Sequence, residues 1–370
     1  MSSFAIPVMR PQLPSVLNVI PFLQEMDSRR IYSNWGPLVR RLESEYATFF
    51  KIEESRVVAL SNATQAISGC IQLCEDINTW VIPEFTFSAT GLAVRQSARQ
   101  AISFDVDPFL FEINSDSHNL LLSHGRQQKR KNDWGELGLL HVLPFGKGTD
   151  LKDFESLRFV ILDAAASIGA PIKNISSLRE NHFIVFSLHA TKVFGAGEGA
   201  IVICGSQRSA KRLRRWANFG FDEARISNSI GTNSKMSEIS AAYALAAYNQ
   251  KDIEITDWAS ALKKINDITD KLSWKSAVTS YKGIRPYWIA QFRNEEERDL
   301  VQRTLLEQSI ESRRWWPALM SESPGIKANL YGNNKGSKFA VNTTLGLPLW
   351  RDIPHSHLDL ITNSISEVIE

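Results

Sequence analysis

Phe183-Ile184-Val185-Phe186-Ser187-Leu188-His189-Ala190-Thr191-Lys192-Val193-Phe194-Gly195-Ala196-Gly197-Glu198-Gly199-Ala200-Ile201-Val202-Ile203-Cys204 sets two short apolar, β-branched runs on either side of a loop that holds one lysine among small and hydroxyl residues. Apolar runs of this length, bounded by glycine and polar residues, read as buried strands. Five more precede them: Val57–Leu60, Trp80–Pro83, Ala101–Phe104, Gly138–Leu143 and Phe159–Leu162. Polar or helix-forming stretches separate the seven runs, which predicts an α/β protein whose seven-stranded, mostly parallel sheet is covered by helices. In open sheets of this kind ligands bind beyond the carboxyl ends of the strands. The residues just after each run are therefore where chemistry is to be sought.

The 370 residues exceed the ~250–300 at which a single core stops growing, so two domains are expected. The pattern turns helical after residue 205, with helices predicted over Arg208–Asn218 and Lys235–Tyr248, the latter preceded by Asn233 and Ser234 as cap residues. Residues 1–250 are expected to form an N-terminal segment and a large domain. Residues 251–370 are expected to form a smaller α+β domain, with a helix to about Leu272, a strand around Pro286–Phe292 and helices at Asn294–Ser309 and His357–Ile369.

Hydrophobic residues make up 43% and charged residues 22% of the chain, and no apolar run approaches the roughly 18 residues of a membrane span. Met1–Arg10 carries neither a basic leader nor a long apolar stretch, which predicts no signal peptide and a cytoplasmic protein. The three cysteines, Cys70, Cys74 and Cys204, are too few for a disulfide framework and read as buried thiols. With 42 basic and 40 acidic side chains interspersed, a net charge of +2 implies no nucleic-acid partner. The basic cluster Arg126–Lys131, lacking aromatics, reads as a solvated loop.

Ser61-Asn62-Ala63-Thr64-Gln65-Ala66 follows the first run and leads into a helix, so its free N–H groups and hydroxyls suit a phosphate, or simply cap the helix. Glu84-Phe85-Thr86-Phe87-Ser88-Ala89-Thr90 follows the second and offers aromatics that either stack on a planar ring or fill core. Asp163 ends the Phe159–Leu162 run, before Ala164-Ala165-Ala166-Ser167. It either meets a buried cation or caps a helix. Lys192, in its glycine-flanked loop, is a candidate Schiff-base amine, although a surface lysine beside a tight turn has the same local sequence. Together these residues supply what pyridoxal phosphate asks of a protein: an amine for its aldehyde, an anion for its ring nitrogen, donors for its phosphate and a surface for its ring.

The chain resembles the DegT/DnrJ/EryC1/StrS family of sugar aminotransferases, within the type I pyridoxal-phosphate fold, over most of its length. The matches are Gly36-Pro37, Thr86–Thr90, Phe104-Asp105-Val106-Asp107, Asp163-Ala164-Ala165, Ser187–Gly199, Asn218–Phe221, Gly231–Met236, Trp316-Pro317 and Leu347-Pro348-Leu349. The resemblance implies that Lys192 is the Schiff-base lysine and Asp163 the partner of the pyridinium nitrogen. It implies that Thr64, the Ala63 amide and Ser187 hold the phosphate and that Phe87 stacks on the ring. Asn233 would reach the neighbouring subunit's phosphate, which makes the protein a homodimer with composite sites. The family's Asp-Ala-Ala-Gln run has Ala166 in place of the glutamine that reaches the cofactor's phenolic oxygen, leaving Ser167 or a water to substitute. Ala63 and Ala200 stand where glycine is usual, both small replacements.

The implied reaction moves an amino group from an amino acid, usually glutamate, to a nucleotide-linked keto-deoxysugar at C4 or, second, C3, in amino-sugar biosynthesis. Lys192 carries the proton between substrate and cofactor, which asks that a lysine of ordinary pKa ~10.4 be shifted down. His189 reads equally as a structural or a substrate-side residue. Arg313, Arg314, Trp315 and Trp316 either grip a nucleotide diphosphate or are surface charges beside buried tryptophans. Related folds that dehydrate sugars carry histidine where Lys192 stands. A cyclitol aminotransferase and a non-catalytic sugar-nucleotide-binding paralogue are the alternatives.

Overall fold

The computed structural model describes residues 4–114, 119, 136–269, 274–276 and 281–369. Arg126–Lys131 lies outside them. The chain opens with two helices, α1 (Val16–Arg29) and α2 (Pro37–Phe50). The sheet region follows as β1 (Val57–Leu60), α3 (Ala63–Leu73), β2 (Thr79–Pro83), α4 (Ser88–Gln96), β3 (Gln100–Phe104), β4 (Leu137–Val142), a short pair β5 (Thr149–Asp150) and β7 (Ile172–Lys173), β6 (Val160–Asp163), β8 (His182–Ser187) and β9 (Ala200–Cys204). Helices α5 (Gln207–Trp216), α6 (Glu238–Asn249) and α7 (Lys251–Thr269) come next. The C-terminal part holds β10 (Lys275–Ser276), β11 (Trp288–Gln291), α8 (Glu295–Glu307), β12 (Asn329–Tyr331), α9 (Lys335–Thr343), β13 (Thr344–Leu347) and α10 (His355–Ile369). Among the described residues no helix is long and apolar enough to cross a membrane.

All seven predicted strands are present, within one or two residues at their ends, in a sheet of order β1-β9-β8-β6-β4-β2-β3-β12. β9 runs antiparallel to both its neighbours, and the remaining pairings are parallel. The expected count of seven is corrected to eight: β12, from the C-terminal part, pairs with β3 at the edge. Its three residues are all exposed, so no apolar alternation marked it. It is held by register and by the Tyr331 ring stacked on Phe104 at 4.8 Å.

Alternate strand residues face two cores. Val58, Leu60, Trp80 and Ile82 pack with Ile67, Val94 and Leu213 of α3, α4 and α5. Val57, Ala59, Val81 and Leu162 pack with Leu38, Leu42 and Leu245 of α2 and α6. Burial on both faces is why the strands read as continuous apolar runs rather than as alternating ones. A second sheet, β10-β11-β13, is antiparallel.

The α2 helix is fixed to α6 at its first turn. Gly36 is its N-cap and Pro37 its first residue, and the buried Glu238 carboxylate accepts from Leu38 N (2.7 Å) and Val39 N (3.1 Å). A carboxylate here satisfies orphan donors and complements the helix dipole. The expected start of α6 at Lys235 is corrected as well. The helix begins at Glu238 with Ser237 as its cap, because the preceding residues are drawn into extended bridges to Asn218 and to the end of β1. Ser61 N donates to Ser234 O there.

Candidate active site

Parallel pairing of β6 with β8 sets Asp163 opposite Val185, and Ala164 N donates to Val185 O, so Asp163 and Ser187 end adjacent strands at the same edge. Asp163 is 6% exposed, and its carboxylate accepts from Thr90 Oγ1 of α4 (3.1 Å) and from Ala165 N (3.2 Å). It is in no ion pair among the described residues. Burial pushes its carboxyl above the usual range, against the pull of the Ala165 amide, the Thr90 hydroxyl and the nearby Lys192 charge.

Lys192 sits in the loop from β8 to β9, closed by Leu188 N to Gly199 O, Ala190 N to Gly197 O and Gly195 N to Lys192 O. A Cβ on Gly195 would lie 2.7 Å from Ala190 O, and Gly197 holds φ +98, so the closure requires glycine at both positions. Phe194 anchors the loop: its ring is buried and its amide donates to Glu254 of α7 at 3.2 Å. Nζ of Lys192 donates to the Tyr287 hydroxyl, with the ring centroid 5.0 Å away.

The remaining candidates fall around this edge in different ways. Asn62 caps α3 by accepting from Gln65 N, leaving the amides of Ala63 and Thr64 in the first turn, where a helix offers no internal acceptor. Ser187 Oγ accepts from His189 N. Phe87, at the start of α4, is 59% exposed, so its ring lies open in the single chain. Asn233 is also exposed, on the segment that bridges Asn218. His189 pairs through Nδ1 with Thr191 Oγ1 at 2.9 Å, and no His/Cys/Asp/Glu cluster suited to a metal occurs among the described residues.

Trp316 is half-buried, stacked on Phe145 at 4.3 Å and edge-on to Phe85. Arg314 is engaged by Asp299 and Gln302. Ala166 packs in the cluster of Phe145, Tyr281 and Tyr287, and the Ser167 hydroxyl is enclosed with no polar partner among the described residues.

Thr90 and Tyr287 contact Asp163 and Lys192 directly, yet neither carries a chemical signal in its local sequence. Thr90 lies in a stretch notable for its aromatics, and Tyr287 at the entry of a strand whose residues signal only structure. The cysteines are free and buried, with burial raising the thiols of Cys74 and Cys204 to about 12.

These residues fit pyridoxal phosphate. A buried carboxylate held by two neutral donors and in no ion pair among the described residues is suited to a protonated ring nitrogen, and a primary amine stands close enough to act on its charge. A helix N-terminus with open amides provides for an anion.

A model of the DegT/DnrJ/EryC1/StrS aminotransferase family matches residues 19–366. The chain belongs to this family. It is accordingly a transaminase, and its cofactor is pyridoxal phosphate. It is 24% identical over 376 aligned positions to the dTDP-4-amino-4,6-dideoxy-D-glucose transaminase of Shigella dysenteriae, covering 98% of each chain. Among solved structures, a putative PLP-dependent aminotransferase from Bacillus cereus superposes with a TM-score of 0.86 at 23% identity, over 97% of this chain and 99% of the other. DesI, solved in the presence of its TDP-sugar product, gives 0.84 at 22% identity, over 99% and 93%. At such identities the structural matches speak for the fold, which is that of this aminotransferase class.

Proposed function

We propose that this aminotransferase moves an amino group from an amino acid, L-glutamate, to the keto carbon of a nucleotide-linked 4-keto-6-deoxyhexose. The observation that carries the reading is the Lys192 amine held at the strand edge near the buried Asp163, which forms no ion pair among the described residues. The substrate class is supported by the Shigella dysenteriae relative, whose name specifies a dTDP-linked 4-amino-4,6-dideoxy sugar.

Pyridoxal phosphate, when bound, supplies a conjugated electron sink for the carbon that carries the amino group. Asp163 keeps the proton on the ring nitrogen. Lys192 takes the proton from the donor carbon and returns it on the other side of the transfer. The Ala63 and Thr64 amides, the Thr64 hydroxyl and Ser187 hold the phosphate, and Phe87 covers the ring. His189 and Trp316 border the substrate, whereas Arg314 must first leave Asp299 to join them.

Asn233 completes the site of a second copy in a homodimer. Support for this comes from the exposed apolar residues around it, Phe219, Ile226, Ile230 and Ile239, the last three more than half exposed. The buried free thiols suit a reducing compartment and so a cytoplasmic enzyme. The C-terminal part, from residue 251, acts as the smaller domain.

The test is incubation of the cofactor-loaded protein with glutamate and a panel of dTDP-, UDP- and GDP-linked 4-keto and 3-keto sugars, following 2-oxoglutarate and the aminated product. Amination at C4 of a 6-deoxyhexose is expected. Amination only at C3, transfer only to a cyclitol ketone, or a protein that takes up no cofactor would overturn the reading.

A further inference from the structure

Four separate stretches line one cleft: Arg10 and Gln12 before α1, Lys192 in the β8–β9 loop, Glu254 and Trp258 on α7, and Trp350 and Arg351 after β13. Hydrogen bonds tie these stretches to one another. Leu349 N donates to Val8 O at 3.2 Å, Arg351 Nη2 donates to Gln12 O at 3.2 Å, and Glu254 accepts the Phe194 amide of the loop. Ala63, Thr64, Phe87, Asp163 and Ser187, to which the cofactor is assigned above, do not border the cleft. The Nζ of Lys192 is already turned to Tyr287.

The cleft holds more positive than negative charge. Arg10 is exposed and has no hydrogen-bond or ion-pair partner among the described residues. Arg351 meets a single carboxylate, that of Glu254, at 3.3 Å. Burial raises this carboxyl to about 7, with Asp257 pushing the same way, so at neutral pH it offsets the guanidinium only in part. Asp352, the next residue, does not border the cleft and accepts from Gln12 Nε2 at 3.1 Å. Trp258 and Trp350 are nearly wholly buried, and their indole N–H groups have no partner among the described residues. Donors and positive charge thus gather here in excess of acceptors, and the missing acceptor is an anion.

We propose that this cleft is an oxyanion site, separate from that of the cofactor, which takes a phosphoryl group between Arg10 and Arg351. A guanidinium offers parallel N–H donors that match the oxygens of a phosphate. Two guanidinium groups from different stretches suit a doubly charged group with three free oxygens better than a single carboxylate. An anion held there ties the segment before α1 to the stretch after β13, against the loop that carries Lys192. Two sources share this chemistry: inorganic phosphate, and the diphosphate of a nucleotide-linked sugar. The second source rests on the substrate class proposed above.

The test uses the full chain loaded with cofactor, as wild type, Arg10→Gln, Arg10→Lys and Arg351→Gln, titrated at constant ionic strength with inorganic phosphate, dTDP and glutarate while the melting temperature is followed. Phosphate is expected to raise the melting temperature of the wild type saturably. Its half-saturating concentration is expected to rise roughly tenfold or more in Arg10→Gln and Arg351→Gln, and less in Arg10→Lys. Arg10 is bonded to no described residue, so Arg10→Gln should melt as wild type does in buffer, which separates loss of the site from loss of the fold. A dTDP response at lower concentration than that of phosphate, weakened by the same variants, assigns the site to a nucleoside diphosphate; a weaker one assigns it to free phosphate. No phosphate response, one unchanged in Arg10→Gln, or a glutarate response equally strong would sink the proposal. So would a phosphate response confined to the cofactor-free protein, which would place the anion where the cofactor's own phosphate binds. If no nucleotide sugar is aminated yet the phosphate response depends on Arg10 and Arg351, the substrate reading fails and this one stands.

Discussion

Nζ of Lys192 donates to the hydroxyl of Tyr287 across 2.5 Å, joining the β8–β9 loop to the strand that enters the C-terminal sheet. The lysine is thus aimed by a residue 95 positions away in sequence. A hydrogen bond to a charged group contributes about 1.5–3 kcal/mol. Tyr287→Phe keeps the ring under the amine and removes only the acceptor. We expect kcat to fall roughly ten- to hundredfold with KM for both substrates little changed, measured by steady-state kinetics. Lys192→Ala should abolish the half-reaction with glutamate altogether, while the far-ultraviolet circular dichroism stays as in the wild type.

Asp163 is the second anchor, and its environment separates two effects of one substitution. In the cofactor-free protein its carboxylate is buried, in no ion pair among the described residues, and burial raises its pKa, so Asp163→Asn should leave the unfolding free energy equal or higher near neutral pH. In the loaded protein the same change removes one half of a buried charge pair, at about 3–5 kcal/mol. Cofactor affinity should fall by roughly two to four powers of ten, read by titrating the visible absorption of the bound cofactor. A variant that binds the cofactor as tightly as wild type would show that Asp163 does not face the ring nitrogen.

The strands were legible because both faces of the sheet are buried, so that runs such as Val57–Leu60 and Ala200–Cys204 carry their boundaries in composition alone. β12 was not, since Asn329–Tyr331 is exposed throughout and gains its strand geometry only by pairing with β3. The same division holds in the site. Asp163 and Ser187 close their strands and Lys192 lies in the loop after one, so position alone marks them as candidates. Thr90 and Tyr287 meet Asp163 and Lys192 through tertiary placement, and neither a threonine nor a tyrosine has a local pattern that distinguishes a contact from a filler. A start signal is legible only where the side chain stays local: Asn62 caps its helix, whereas Asn233 and Ser234 are taken up by bridges to distant segments.

Glu238 joins α6 to the first turn of α2 and is wholly buried, with its two carboxylate oxygens on the amides of Leu38 and Val39. Glu238→Ala strands both donors, each at about 1–3 kcal/mol, so a loss of roughly 2–5 kcal/mol is expected in urea unfolding. Gly36→Ala should act at the same joint, because a Cβ there would lie 2.6 Å from Glu238 Cδ. Since each change disturbs one contact, the double variant should lose less than the sum of the two.

Glu254 gives the fold a pH dependence of definite sign. It accepts the Phe194 amide behind the Lys192 loop and lies 3.3 Å from Arg351, and burial, outweighing that arginine, raises its carboxyl from 4.5 to about 7. Because the folded value lies above the unfolded one, the unfolded chain releases this proton first. Between pH ~4.5 and ~7 the folded state therefore binds more protons, and Glu254 makes stability fall as pH rises through that window, by roughly 3 kcal/mol in all. Outside the window its contribution is flat. Glu254→Gln keeps an acceptor for Phe194 and has nothing to titrate, so unfolding free energies at successive pH values should lose this component of the slope. The slope is the decisive readout rather than the absolute stability, because Arg351 loses its charge partner in the variant while keeping its hydrogen bond to Gln12 O. An unchanged slope between pH ~4.5 and ~7 would show that Glu254 ionises in the folded protein as it does in the unfolded one.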